Sequence, residues 1–149
     1  MKQLADELRA EIDSSLQRFR KLSESDVSRD RGPGKWIKKE ILGHLIDSAA
    51  NNQQRFIRAQ FEDPFAGPCY DQDAWVAMHR YRDRTWAELT DTWAALNRQV
   101  AHAMESVPES KLKTRLVIGK NEPAPLEWWM KDYLVHMRHH LEQIFETNK

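Results

Sequence analysis

The chain has 149 residues, and its 23 basic side chains are balanced by 23 acidic ones, so the formal net charge is zero. The length fits one domain with its own core, and the balanced charge disfavours a nucleic-acid binder, which usually has a basic excess. The lone Cys69 excludes an intrachain disulfide, and no signal peptide or membrane-spanning stretch is evident, so we expect a soluble, cytoplasmic protein.

The first two long helices are predicted by apolar residues that recur every three to four positions. The first helix is expected over about Leu4–Leu22. The polar segment that follows contains the sequence GPG at residues 32–34 and predicts a loop. The second helix is expected to begin near Trp36 or Ile37 and to end near Gln60.

A polar stripe runs along this second helix beside its apolar face. It consists of His44, Ser48, Asn51 and Arg55, which share one side of a helix because of their spacing. Such a stripe either lines a cavity or forms a boundary row that faces solvent, and both interpretations stay open.

The segment Phe61–Arg84 is rich in aromatic residues and is expected to be irregular, since proline and glycine between residues 64 and 68 interrupt any helix. Asp71 or Asp73 can cap a short helix over Ala74–His79. A connection of this length within a compact domain is often functional or crosses the fold. Cys69, in this segment, is either a catalytic nucleophile or a thiol with no catalytic role.

The third helix begins with Thr85 and Glu88, the spacing of a capping box. After Pro108, Leu116–Ile118 can form a short extended piece, and the fourth helix is expected over about Leu126–Phe145. These elements predict a single all-α domain over residues 1–149, most economically a four-helix bundle, whose facing side chains can hold a metal.

Three histidines provide the main functional signal. His136 and His140 lie four residues apart on the fourth helix and project from nearly the same side, and His44 from the second helix can complete the set. Three imidazole ligands leave open positions, as in catalytic metal sites. Spacing alone also fits ordinary surface or hydrogen-bonded histidines. The other histidines are excluded from the ligand set: His79, His102 and His139.

The segments WIKKEILGHLIDSAANNQQRFIRA and DYLVHMRHHLEQI resemble the DinB/YfiT-like superfamily of four-helix bundles. The resemblance implies an up-down-down-up bundle, in which the long connection between the second and third helices makes the crossing. It also implies a divalent metal ion, nickel or zinc, held by His44, His136 and His140. Homodimerisation is a further expectation from the family.

The chemistry that the resemblance implies takes two forms, both on small molecules. The ion either activates water for hydrolysis or delivers a low-molecular-weight thiol to an electrophile, as in S-transferases. The alternative is a non-catalytic bundle that binds a metal or ligand in sensing or stress. Nucleic acid and membrane are not expected as partners.

Five further residues are candidates for the site. Asp47 is expected to accept a proton or orient a ligand, and Tyr133 to donate a hydrogen bond to bound water or substrate. Asn51 and Arg55 are expected to hold an anionic substrate, and Trp75 to line the pocket mouth. The alternatives are an exposed helix pair for Asp47 and Arg55 and a core position for Tyr133.

Overall fold

The computed structural model describes residues 1–147. The helices in this range are α1 (Lys2–Phe19), α2 (Glu24–Ser28), α3 (Lys38–Arg58), α4 (Gln72–His79), α5 (Trp86–Ser106) and α6 (Leu126–Phe145). The four long ones, α1, α3, α5 and α6, enclose one apolar core, since α1 and α3 each pack against both α5 and α6. No helix within residues 1–147 is both long and apolar enough to cross a bilayer. The predicted four-helix bundle is confirmed.

The predicted helix caps form at the starts of α4 and α5. Thr85 Oγ1 accepts a hydrogen bond from the Glu88 amide at 3.2 Å, while Glu88 Oε2 accepts one from the Thr85 amide at 3.0 Å. Asp71 Oδ1 accepts from the Ala74 amide at 3.0 Å and begins α4. These bonds satisfy amide groups that have no partner within the helix.

The sequence predicts a loop for the whole polar segment between α1 and α3, but this segment contains α2. Ser23 and Asp26 form a capping box, in which the Ser23 amide donates to Asp26 Oδ2 at 2.8 Å and the Asp26 amide to Ser23 Oγ at 3.1 Å. Val27 is fully buried in the core. Local capping and one apolar anchor therefore stabilise a helix too short to show apolar periodicity.

The expectation of an all-α domain is also incomplete, because a small three-stranded sheet joins the two long connections. Strand β1 (Phe65–Gly67) pairs in parallel with β2 (Arg115–Ile118), and β2 pairs antiparallel with β3 (Ala124–Pro125). Phe65 and Leu116 are buried partners in the first pair. The sheet thus fixes the α3–α5 connection against the segment that leads into α6.

Candidate metal centre

Three imidazoles meet where the first half of α3 packs against the second half of α6. His44 comes from α3, and His136 and His140 lie one turn apart on α6. One nitrogen from each ring lies within 4.8 Å of the others, and the Nε2 atoms of His44 and His136 are 3.2 Å apart. Two nitrogens bound to one ion at about 2.0–2.1 Å have a similar separation. The geometry therefore brings together all three histidines predicted as ligands.

Burial keeps these imidazoles uncharged near neutral pH. It lowers the pKa of His44 to about 3, with a smaller contribution from His140 and His136. The same cause, with His140 and His139 nearby, lowers the pKa of His136 to about 4. Burial also lowers the pKa of His140. Neutral imidazole is the form that binds a metal, so this donor set fits a divalent ion without displacing protons.

Gln143 orients one of the three rings. Its Oε1 lies 2.9 Å from His140 Nδ1, and because an amide oxygen can only accept, Nδ1 carries the proton and donates. The lone pair of His140 is then on Nε2, available to an ion. Hydrogen bonds to the distal nitrogen of a ligating histidine commonly fix the ring in this way.

We therefore expect Gln143→Ala to weaken metal binding about tenfold, since loss of such a partner typically costs 10- to 100-fold in affinity. Competition titration with a chelator measures the affinity for Zn²⁺. Glu142→Ala is the matched control, because Glu142 is its exposed neighbour on α6. Equal affinities for the two variants would show that Gln143 does not support the site.

Asp47 lies three residues after His44 on α3, about 4.5 Å along the helix axis and roughly 60° around it. The carboxylate is buried, so it is not part of an exposed helix pair. Asp47 Oδ1 accepts from the Tyr81 hydroxyl at 2.6 Å, and His79 Nδ1 lies 2.9 Å from the same oxygen. The side chain of His79 is 52 % exposed. His79 therefore connects a buried carboxylate to solvent.

The second oxygen of Asp47 is available for another interaction. Asp47 Oδ2 is buried and has no hydrogen-bond partner within residues 1–147. Burial raises the pKa of Asp47, although the hydrogen bond from Tyr81 and the nearby His79 oppose this. Burial and the same hydrogen bond raise the pKa of Tyr81. A carboxylate with one unpartnered oxygen and a raised pKa has the properties of a proton acceptor.

A cavity of about 140 Å³, here called the Arg55 cavity, reaches the metal centre along α6. Arg55 donates to Asn52 Oδ1 at 3.4 Å and to the Pro68 carbonyl at 3.2 Å. His136 forms part of the wall, so a molecule in the cavity lies beside a candidate ligand. The lining residues are Ser48, Asn52, Arg55, Tyr70, Trp129, Asp132, Tyr133 and His136.

A second cavity of about 460 Å³ reaches His140 from another direction. Its wall includes the basic residues Arg31 and Lys35, together with Trp36. The indole ring of Trp36 lies 5.0 Å from the ring of His44. The candidate metal centre is therefore bordered by two cavities, one beside His136 and one beside His140.

The remaining predicted residues have varied surroundings. Asn51 donates its amide to the Asp47 carbonyl at 2.9 Å, and the neighbouring Asn52 lines the Arg55 cavity instead. The ring of Trp75 packs on Tyr70 at 5.2 Å. Tyr133 lines the cavity, but its hydroxyl donates to Asn97 Oδ1 at 2.6 Å, as expected of a core tyrosine. The functional roles of these residues stay predictions.

Several residues at the site were not identified from the sequence. Asn52 lies four residues after Ser48, and Asp132 four before His136, so helical spacing could have indicated both. Gln143 follows His140 by three residues and could have been found in the same way. His79 and Tyr81 had no such signal, because they reach Asp47 from a separate connection.

Comparison with known proteins agrees with this architecture. No curated protein matches the chain in sequence. Among solved structures, the chain is similar to YfiT from Bacillus subtilis, described as "a probable metal-dependent hydrolase with an unusual four-helix bundle topology". The two are 20% identical, with a TM-score of 0.79, and the match covers 97% of this chain and 81% of YfiT. The family model of the DinB superfamily matches residues 7–144. The chain belongs to the DinB superfamily.

Proposed function

We propose that the protein is a divalent-metal-dependent enzyme of small-molecule chemistry, acting as a hydrolase or a thiol-dependent S-transferase. The observation that carries the proposal is the convergence of His44, His136 and His140 beside two cavities. A closed structural site would need a fourth protein ligand, and no fourth histidine, cysteine or carboxylate joins this cluster within residues 1–147. Open ion positions next to cavities favour catalysis.

The ion that we propose is nickel or zinc, since imidazole ligands suit both. Such an ion would supply Lewis-acid activation of a water molecule or of a thiol cosubstrate. The description of YfiT supports the hydrolytic alternative by similarity of fold. The S-transferase alternative requires space for two reactants, and the presence of two cavities accommodates them.

The protein's own residues would handle the proton and the substrate. Asp47 Oδ2 has no hydrogen-bond partner among residues 1–147, so it can accept the proton that water or a thiol loses on becoming a nucleophile. His79 contacts the other carboxylate oxygen, Oδ1, and is itself half exposed, so after the carboxyl group rotates to bring the proton to that side, His79 can pass it to solvent. Arg55 would bind an anionic group of the substrate in the cavity beside His136.

We also infer that the four long helices follow an up-down-down-up order. Three contacts support it: the start of α1 meets the end of α5, the start of α3 meets the end of α6, and the ends of α1 and α6 meet. They are Lys2–Glu105, Lys38–Glu146 and Arg18–Glu142. In this order α3 runs antiparallel to α6, which brings His44 opposite the His136–His140 pair.

The test is metal-dependent turnover by the Zn²⁺- and Ni²⁺-loaded protein. The probes are p-nitrophenyl esters for hydrolysis, and a chloronitrobenzene with L-cysteine for thiol transfer. Asp47→Asn should retain the metal and lower turnover about 100-fold or more, the usual contribution of a general base. Asp91→Asn, on the exposed surface of α5, is the matched control.

The results separate catalysis from its alternative. A protein that binds metal but shows no metal-dependent turnover of any probe would favour a non-catalytic metal- or ligand-binding bundle. Equal turnover by Asp47→Asn and the wild type would support an enzymatic function but exclude Asp47 as the proton acceptor.

A further inference from the structure

The Arg55 cavity contains two opposite charges that do not pair. Among the described residues, 1–147, Arg55 donates hydrogen bonds only to the neutral oxygens of Asn52 and Pro68. Asp132 has no ion pair or hydrogen bond from its side chain within residues 1–147, although it lines the same cavity. Burial lowers the pKa of Arg55, and no carboxylate within residues 1–147 opposes that shift. Burial raises the pKa of Asp132, and no cation in the same range opposes it. Both charges therefore lack a partner.

The wall between these charges has another unsatisfied group. Trp129 is only 9% exposed, and its Nε1 is buried without a hydrogen-bond partner within residues 1–147. Its ring lies 6.0 Å from the Arg55 guanidinium carbon. An unpaired buried donor is costly, and it makes this ring sensitive to changes in its surroundings. The Arg55 guanidinium favours a carboxylate as its ligand in the cavity.

We propose that the Arg55 cavity is a subsite for a zwitterionic α-amino-carboxylate head group. Arg55 binds its carboxylate and Asp132 binds its ammonium group, beside the ring of Trp129. Each charge of the ligand then meets the opposite charge on the protein, which compensates the loss of hydration on binding. This subsite names the substrate class for the proposed function. The reaction of that substrate rests on the proposed function, whereas its binding to the subsite does not.

The cavity volume limits which part of the substrate it holds. At about 140 Å³ it is smaller than the roughly 300–1,000 Å³ of pockets that bury a drug-sized ligand. It therefore has space for the head group or for a small amino acid, and a larger substrate would extend out of it. Because His136 forms one wall, an extension in that direction brings the substrate toward the metal centre.

The charge arrangement also discriminates against simpler ligands. A carboxylate without an amine would satisfy Arg55 but leave Asp132 unpaired and add a second negative charge. An amine without a carboxylate would satisfy Asp132 and place a cation beside Arg55. Unpaired or like charges in a partly buried site disfavour both.

The test follows the indole N–H resonance of Trp129 in ¹⁵N-labelled protein, identified by its loss in Trp129→Phe. The probes are L-alanine, propionate and ethylamine, titrated to tens of millimolar into both the metal-free and the Zn²⁺-loaded protein. L-Alanine should shift the resonance with saturation in both forms. The apparent affinity for propionate and for ethylamine should be at least tenfold lower.

Two variants assign the charges. Asp132→Asn should lower the affinity for L-alanine at least tenfold and leave that for propionate unchanged or higher, while Arg55→Gln should weaken both. Asp91→Asn should change nothing. The proposal is overturned if L-alanine leaves the Trp129 resonance unshifted, if propionate binds as tightly as L-alanine, or if Asp132→Asn has no effect. Binding to the metal-free protein distinguishes this result from failure of the proposed metal chemistry.

Discussion

We expect His44→Ala to abolish metal binding while the bundle stays folded. His44 is 1% exposed and comes from α3, whereas the other two ligands come from α6. Without it the ion would have only the i, i+4 pair, His136 and His140. Wild-type protein purified without a histidine tag or chelator should contain about one nickel or zinc ion per chain. His44→Ala should contain almost none.

The matched control is His139→Ala. His139 adjoins His140 but is exposed, and its side chain contacts Gln143 at 3.4 Å and the edge of the His140 ring. Elemental mass spectrometry gives the metal content, and far-ultraviolet circular dichroism checks the helical fold. Full metal content in His44→Ala, with His139→Ala reduced instead, would show that the ion binds a different set of histidines.

The same variant should lose the stabilisation that metal gives the folded protein. A ligand present at 100 times its dissociation constant stabilises the native state by about 2.7 kcal/mol. Added Zn²⁺ should therefore raise the thermal midpoint of the wild type and of His139→Ala. It should leave the midpoint of His44→Ala unchanged, because without the site the native state binds the metal no more tightly than the unfolded chain does.

The long helices and the histidine set could be predicted because their signals are local or periodic. An i, i+4 spacing places His136 and His140 on one side of α6 in any regular helix. The capping box at Thr85 is equally local. The third histidine required a contact between separate helices, so spacing made His44 only a candidate, and the family resemblance assigned it to the set.

The remaining features depend on contacts between distant parts of the chain. Strand β1 pairs with β2 about 50 residues later, and a three-residue strand has too few positions to show alternation. Tyr81 reaches Asp47 across 34 residues. Arg55 and Asp132 share a cavity only because α3 and α6 pack together. None of these contacts produces a regular residue spacing that could be recognised in a single sequence.

Gly43→Ala should destabilise the protein, although alanine is the better helix former by about 1 kcal/mol. Gly43 lies inside α3, where the Tyr81 ring packs directly on its backbone. A Cβ placed at residue 43 would be 2.1 Å from Tyr81 Cδ2, far inside van der Waals contact. The ring is buried and cannot move aside freely. Overpacking of this kind costs about 1–3 kcal/mol.

A double-mutant cycle with Tyr81→Ala isolates this contact. Once the ring is absent, the methyl group at residue 43 has space, and Gly43→Ala should become neutral or stabilising by up to about 1 kcal/mol. Urea denaturation of the four metal-free proteins gives the free energies of unfolding. If Gly43→Ala costs the same in both backgrounds, the ring does not explain the glycine. Strong coupling would show that Gly43 is needed to seat Tyr81 against α3, where its hydroxyl donates a hydrogen bond to Asp47.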